Sequence, residues 1–135
     1  MEKNKINSIT INEKSTLKVA MQNIDYSGLG MCIITNDQNK IKGVLTDGDI
    51  RRTIIEGYPI ETKVEEIMNK NPITIKEGYS KKELEEEVGN KKIFGKIPIV
   101  NDNEEIIDLA IIPEPEIRLL SKSKFNKSSE VLSGK

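Results

Sequence analysis

Apolar positions along the chain come in short runs with two alternating periods. Ile9-Thr10-Ile11 alternates apolar and polar as a half-buried strand does. After Ser15, a predicted helix N-cap, Leu17, Ala20, Met21 and Ile24 recur at the spacing of one helix face. Gly28 and Gly30 end that helix and open a strand over 31–35. A four-residue turn, 36–39, leads into a strand over 41–45, which makes a hairpin. A second helix starts near Asp47 and Asp49, whose carboxylates suit its positive end, and runs through Ile50, Ile54 and Ile55 to Gly57.

The same order then recurs. Ile33-Ile34-Thr35-Asn36-Asp37 and Pro98-Ile99-Val100-Asn101-Asp102 share a strand followed by an Asn-Asp turn, with a period of 65 residues between Asp37 and Asp102. That offset carries the strand at 41–45 onto Ile106-Ile107-Asp108-Leu109-Ala110, and Ser15 onto Ser80. Four segments are predicted: a first repeat over 5–58, a linker with a short helix over 59–70, a second repeat over 71–120, and a polar tail or linker over 121–135. In the second repeat the helix near 81–88 is highly charged, with only Leu84 and Val88 apolar, and reads as a solvated helix. Pro113 and Pro115 fit the first turn of a final helix. The expected fold class is therefore α/β, two βαββα units related by pseudo-twofold symmetry, with their sheets packed through the helices.

Composition narrows the chemistry. Lys plus Arg is 21 and Asp plus Glu is 22, for a net charge of −1, so no bulk attraction draws the chain to nucleic acid or to an anionic membrane. Apolar runs stop well short of the roughly 20 residues of a membrane span, and the first residues lack a signal-peptide core. A cytoplasmic location is the default expectation. The chain has no His and one Cys, Cys32, which lies in the apolar run Met31-Cys32-Ile33-Ile34 and reads as a small buried hydrophobe. Catalysis by His, Cys or zinc is excluded, and no nucleophile–base pair is visible, so no enzyme activity and no required cofactor are expected.

The chemically informative segment is Gly43-Val44-Leu45-Thr46-Asp47-Gly48-Asp49-Ile50-Arg51-Arg52, at a strand-to-helix junction. Unpaired N–H groups and the positive dipole end make such a junction an anion site. Gly43 allows close approach to the backbone, Thr46 can donate to a phosphate oxygen, Asp49 can accept ribose hydroxyls, and Arg51 or Arg52 can grip a phosphate. The bland alternative is a capped helix, with Thr46 or Asp47 as the cap and both Arg residues solvated.

This segment resembles the ribose-phosphate signature of CBS domains, which runs Gly, apolar, any residue, Thr or Ser, two residues, then Asp or Asn. The duplication, the order of elements and the run Ile97-Pro98-Ile99-Val100 also resemble a tandem CBS pair over about residues 5–120. The resemblance implies a regulatory module that binds an adenine nucleotide (AMP, ADP, ATP or S-adenosylmethionine) in a cleft between the repeats. The phosphate would meet Thr46, Arg51 and Arg52 and the ribose Asp49, with Gly43 and Asp47 beside them. The base would lie near Ile9, Thr10, Met31 and Cys32. The resemblance also implies a homodimer built through helix faces. At offset 65 the signature becomes Asp108, Ile111 and Glu114, so only the first repeat is expected to bind.

A finer resemblance joins Thr46-Asp47-Gly48-Asp49-Ile50-Arg51-Arg52 to CBS pairs of sugar-phosphate nucleotidyltransferases and of arabinose-5-phosphate isomerases. The pair begins close to Met1, and the nucleotidyltransferases carry theirs first, so a covalently linked nucleotidyltransferase domain is the expectation. The alternatives are the CBS pair of a sugar-phosphate isomerase, or a structural dimerisation module without ligand. Gly89 to Lys96 only imitates a phosphate loop, because five residues instead of four separate its glycines.

Overall fold

A computed structural model describes residues 3–91, 95–113 and 119–120. The first repeat comprises α1 (Lys3–Ser8), β1 (Thr10–Asn12), α2 (Leu17–Ser27), β2 (Met31–Thr35), β3 (Ile41–Thr46) and α3 (Asp47–Ile55). A 3-10 turn, Val64–Glu66, sits in the linker. The second repeat comprises β4 (Ile75–Lys76), α4 (Lys81–Lys91), β5 (Gly95–Val100) and β6 (Ile106–Ile112). The expected final helix and the segment 121–135 lie outside the described residues.

Each repeat forms a three-stranded sheet of identical topology. β1 runs parallel to β2 and β2 antiparallel to β3; β4, β5 and β6 repeat that order. The symmetry extends to irregularities. The register shifts at Ile34/Thr35 and at Ile99/Val100, each 65 residues apart. In both hairpins an Asn side chain closes the turn: Asn36 Oδ1 accepts from Gln38 and Lys40, and Asn101 Oδ1 from Asn103 and Glu105. The residues that then turn left-handed are Asn39 (φ 64°) and Glu104 (φ 65°). The two turns meet, with Ile41 N–H donating to the Glu104 carbonyl (3.0 Å) and Ile106 N–H to the Asn39 carbonyl (3.2 Å).

Local signals set most element ends, with small displacements. Thr16, not Ser15, caps α2, because its Oγ1 accepts from Val19 N–H. The Ser15 carbonyl instead accepts from Val64 N–H in the linker. Gly28, at φ 72°, ends α2 in the left-handed conformation that favours glycine. Helix α1 was not expected from periodicity, since six residues present only Ile6 as a clear apolar position.

Two cores result from the two faces of the first sheet. On one face Cys32, Ile34 and Leu45 pack against Leu17, Ala20 and Ile24 of α2 and Ile50 of α3. On the other, Met31, Ile33 and Val44 join Ile6 and Ile9 and meet Ile106 and Leu109 of β6. This corrects the expectation that the sheets pack through their helices. The sheets face each other directly, and α2 and α3 cover the outer side of the first. Strand alternation is the reason: both faces of β2 are apolar, so one serves each layer. Each buried Ile or Leu contributes roughly 1.5–3 kcal/mol, so Ile106 and Leu109 tie the repeats into one body.

Candidate functional site

At the β3–α3 junction the backbone of Thr46 is extended, and the helix begins at Asp47. Thr46 Oγ1 accepts from Asp49 N–H (3.1 Å), and Asp49 Oδ2 accepts from Thr46 N–H (3.0 Å), a reciprocal capping box. Arg52 Nη2 donates to Asp49 Oδ1 at 2.6 Å. Arg51 is exposed, and Asp47 donates its N–H to the Gly30 carbonyl (2.9 Å). The geometry of the capped-helix alternative is therefore present, with Thr46 as the cap. It leaves the Thr46 hydroxyl proton free to donate elsewhere.

Gly43 does allow a close approach, but by the linker. A Cβ there would lie 2.7 Å from the Asn69 carbonyl oxygen and 2.7 Å from Met68 Sδ. Val44 and Asn69 exchange backbone hydrogen bonds at 3.1 and 3.0 Å, which pins the linker along β3.

Above this junction lies an open cleft of about 480 Å³ between the repeats. Leu29, Gly30, Met31, Val44 and Thr46 form its first-repeat wall. Asn69 of the linker, with Asn71, Pro72 and Ile73 at the start of the second repeat, closes one side, and Lys96, Ile97 and Pro98 of β5 stand opposite. Of the expected site residues, Met31 and Thr46 line the cleft, whereas Gly43, Asp47, Asp49, Arg51 and Arg52 belong to the junction beside it. Ile9 and Cys32 are core residues, 1% and 0% exposed. Burial pushes the Cys32 thiol up to about 12, and its side chain belongs to the face of β2 turned toward the helices. Thr10 is half-buried, its hydroxyl donating to the Asn7 carbonyl.

Sequence reading missed Leu29, Val44, Asn69, Asn71 and Lys96 as cleft residues. A signal for Lys96 existed, since the 65-residue offset equates it with Met31. In the second repeat Ile111 occupies the Thr46 position, paired with Lys96 as Thr46 is paired with Met31, and is 60% exposed. The Asp108 carboxylate accepts from Leu109 N–H (2.7 Å), and Glu114 lies outside the described residues. Among the described residues no cluster of His, Cys, Asp and Glu could hold a metal, and no helix is long and apolar enough to cross a membrane.

Comparison with known proteins gives consistent results. An arabinose 5-phosphate isomerase, GutQ of Salmonella typhi, is 34% identical over 84 residues, 62% of this chain and 26% of that protein. The match thus spans about a quarter of the curated relative's length. Among solved structures, the CBS domain protein PAE2072 of Pyrobaculum aerophilum, complexed with AMP, superposes with a TM-score of 0.66 at 16% identity. That match covers 88% of this chain and 91% of the other. The CBS domain pair of protein MJ0100, in complex with 5-methylthioadenosine and S-adenosyl-L-methionine, has a TM-score of 0.63 at 20% identity, covering 76% and 83%. The CBS domain model matches residues 3–56 and 64–109, one stretch for each repeat. With the doubled sheet, the paired hairpins and the two matched stretches in hand, the chain belongs to the CBS domain family as a tandem pair.

Proposed function

We propose that this CBS pair, a regulatory rather than a catalytic module, senses an adenine nucleotide bound in the cleft between its repeats. The observation that carries the reading is the placement of Thr46, a helix N-cap with a free hydroxyl proton, at the edge of an apolar cleft. The base lies against Leu29, Met31 and Val44, and the phosphate meets Thr46. Asp49 accepts the ribose hydroxyls once Arg52 leaves it, and Arg52 then reaches the phosphate. The cleft is walled by both repeats and the linker, so a bound nucleotide favours one arrangement of them, and this bias is the regulatory signal. The AMP complex of PAE2072 and the S-adenosyl-L-methionine complex of MJ0100 support this ligand class. Such a ligand pool implies a cytoplasmic setting.

The regulated partner in this reading is a covalently linked sugar-phosphate enzyme. The isomerase relatives support the isomerase alternative over the expected nucleotidyltransferase. Sequencing the gene on both sides of this segment decides between them: a sugar-isomerase domain or a nucleotidyltransferase domain in the same frame.

The test of nucleotide sensing is a melting curve with AMP, ADP, ATP and S-adenosylmethionine, followed by calorimetry. A ligand at 100 times its Kd raises stability by about 2.7 kcal/mol, with one nucleotide per chain because Ile111 replaces Thr46 in the second repeat. No shift with any of the four leaves the structural dimerisation module, for which the exposed Ile54, Ile55 and Tyr58 offer a surface.

A further inference from the structure

Duplication makes Lys96 conspicuous. Its counterpart Met31 is apolar and buried, and the two occupy equivalent register positions. Among the described residues, Lys96 is the single charged side chain lining the cleft. It is half-buried and has no ion-pair partner among the described residues. Asp47 stands beside the opposite wall, where its Oδ2 would be 3.4 Å from a Cβ at Gly30; it is exposed and so screened by water. A cleft with an apolar first wall and one cation across from Thr46 attracts an anion and disfavours a cation, the more so as a ligand displaces water.

We propose that Lys96 is the specificity-determining residue of the cleft, selecting phosphorylated adenine nucleotides over S-adenosylmethionine, whose sulfonium carries positive charge. This rests on the nucleotide-sensing reading above and adds a residue from the second repeat to a site otherwise built from the first. The ammonium bonds the phosphate from the β5 side while the Thr46 hydroxyl donates from the β3 side, so the phosphate bridges the two repeats. A charge-assisted bond of this kind is worth about tenfold or more in affinity.

The experiment titrates the whole chain with AMP, adenosine and S-adenosylmethionine by calorimetry at low and high salt. It compares wild type with Lys96→Met, which restores the residue found in the first repeat, and with Lys96→Glu. Wild type is expected to bind AMP more tightly than either other ligand, with affinity falling as salt rises. Lys96→Met weakens AMP about tenfold and flattens that salt dependence, while adenosine, lacking the phosphate, binds both proteins alike. Lys96→Glu weakens AMP further and strengthens S-adenosylmethionine. If AMP binds wild type and Lys96→Met equally, or wild type prefers S-adenosylmethionine, the role of Lys96 is overturned and nucleotide sensing stands. If none of the three binds wild type, and ADP and ATP give no melting shift either, both readings fall. If only ADP or ATP binds, nucleotide sensing stands and the AMP-selecting role of Lys96 is overturned. Melting curves of the unliganded variants show whether each is folded.

Discussion

Arg52 Nη2 lies 2.6 Å from Asp49 Oδ1, while the other oxygen of Asp49 accepts the Thr46 N–H at 3.0 Å. The carboxylate proposed to hold ribose is thus already engaged on both sides. A nucleotide that takes Asp49 displaces Arg52, whose side chain is 68% accessible and is rehydrated as it leaves, so the exchange is inexpensive.

Asp49→Ala therefore has two effects. Loss of the capping box lowers stability by about 1 kcal/mol, read as a lower denaturation midpoint without ligand. It also removes the nucleotide-induced shift. A variant that keeps the full shift shows that Asp49 is only a cap.

Gly43→Ala and Gly48→Ala should move in opposite directions. At Gly43 a methyl group meets the Asn69 carbonyl at 2.7 Å, so β3 and the linker must separate, at a cost of about 1–3 kcal/mol. At Gly48 its nearest neighbour is the Arg52 guanidinium at 3.3 Å, an exposed and flexible group. Gly48→Ala in helix α3 then gains about 0.4–1 kcal/mol through the unfolded state. Urea denaturation of both variants measures the signs, and equal losses would remove the linker contact as the cause.

Acid should fray α4 at its start. Glu83 Oε1 accepts from Ser80 N–H (3.0 Å), and Ser80 Oγ accepts from Glu83 N–H (3.1 Å). The Ser80 backbone bond, with help from its side chain, holds the Glu83 carboxyl below its ordinary value of 4.5. A carboxylate depressed on folding contributes above its unfolded pKa and loses that contribution as pH falls through the folded value. Protection of the amides at 81–84, taken relative to their intrinsic exchange rates, is expected to fall as pH drops below about 4.5. In Glu83→Gln that acid-dependent step disappears; an unchanged profile would assign it to another group.

Cys32 should be inert until the chain unfolds. It is fully buried, with its thiol pushed up to about 12. A thiol-specific reagent at pH 8 labels it only at the unfolding rate, and Cys32→Ser costs about 1–3 kcal/mol by burying a hydroxyl among apolar neighbours. Rapid labelling of the folded chain would contradict this burial.

Light scattering is expected to show a homodimer. Val19, Ile54, Ile55, Tyr58 and Ile60 leave apolar surface exposed on α2, on α3 and just beyond it, and Ile55 is 76% exposed. Ile55→Glu should yield monomers without changing the fold. A wild-type monomer at every concentration would count against the dimer.

The sequence by itself determined what depends on neighbours along the chain. The 65-residue repeat, the strand-turn-strand units and the Thr46–Asp49 junction follow from spacing, capping and turn chemistry, which act over a few residues. That locality is also why α1, too short to show a period, was missed, and why the cap of α2 slipped by one residue. Facing was decided by tertiary structure. Ile9 and Cys32 fit a strand near the signature, yet Cys32 faces the helices and Ile9 the core shared with β6. Which residues stay open as cleft depends on how the second sheet packs against the first. Gly43 signals close approach, but only the folded linker reveals that Asn69 is the group that approaches. Lys96 reaches the first repeat's cleft across a pseudo-twofold axis, and a contact between residues so far apart in sequence leaves no local periodicity to read.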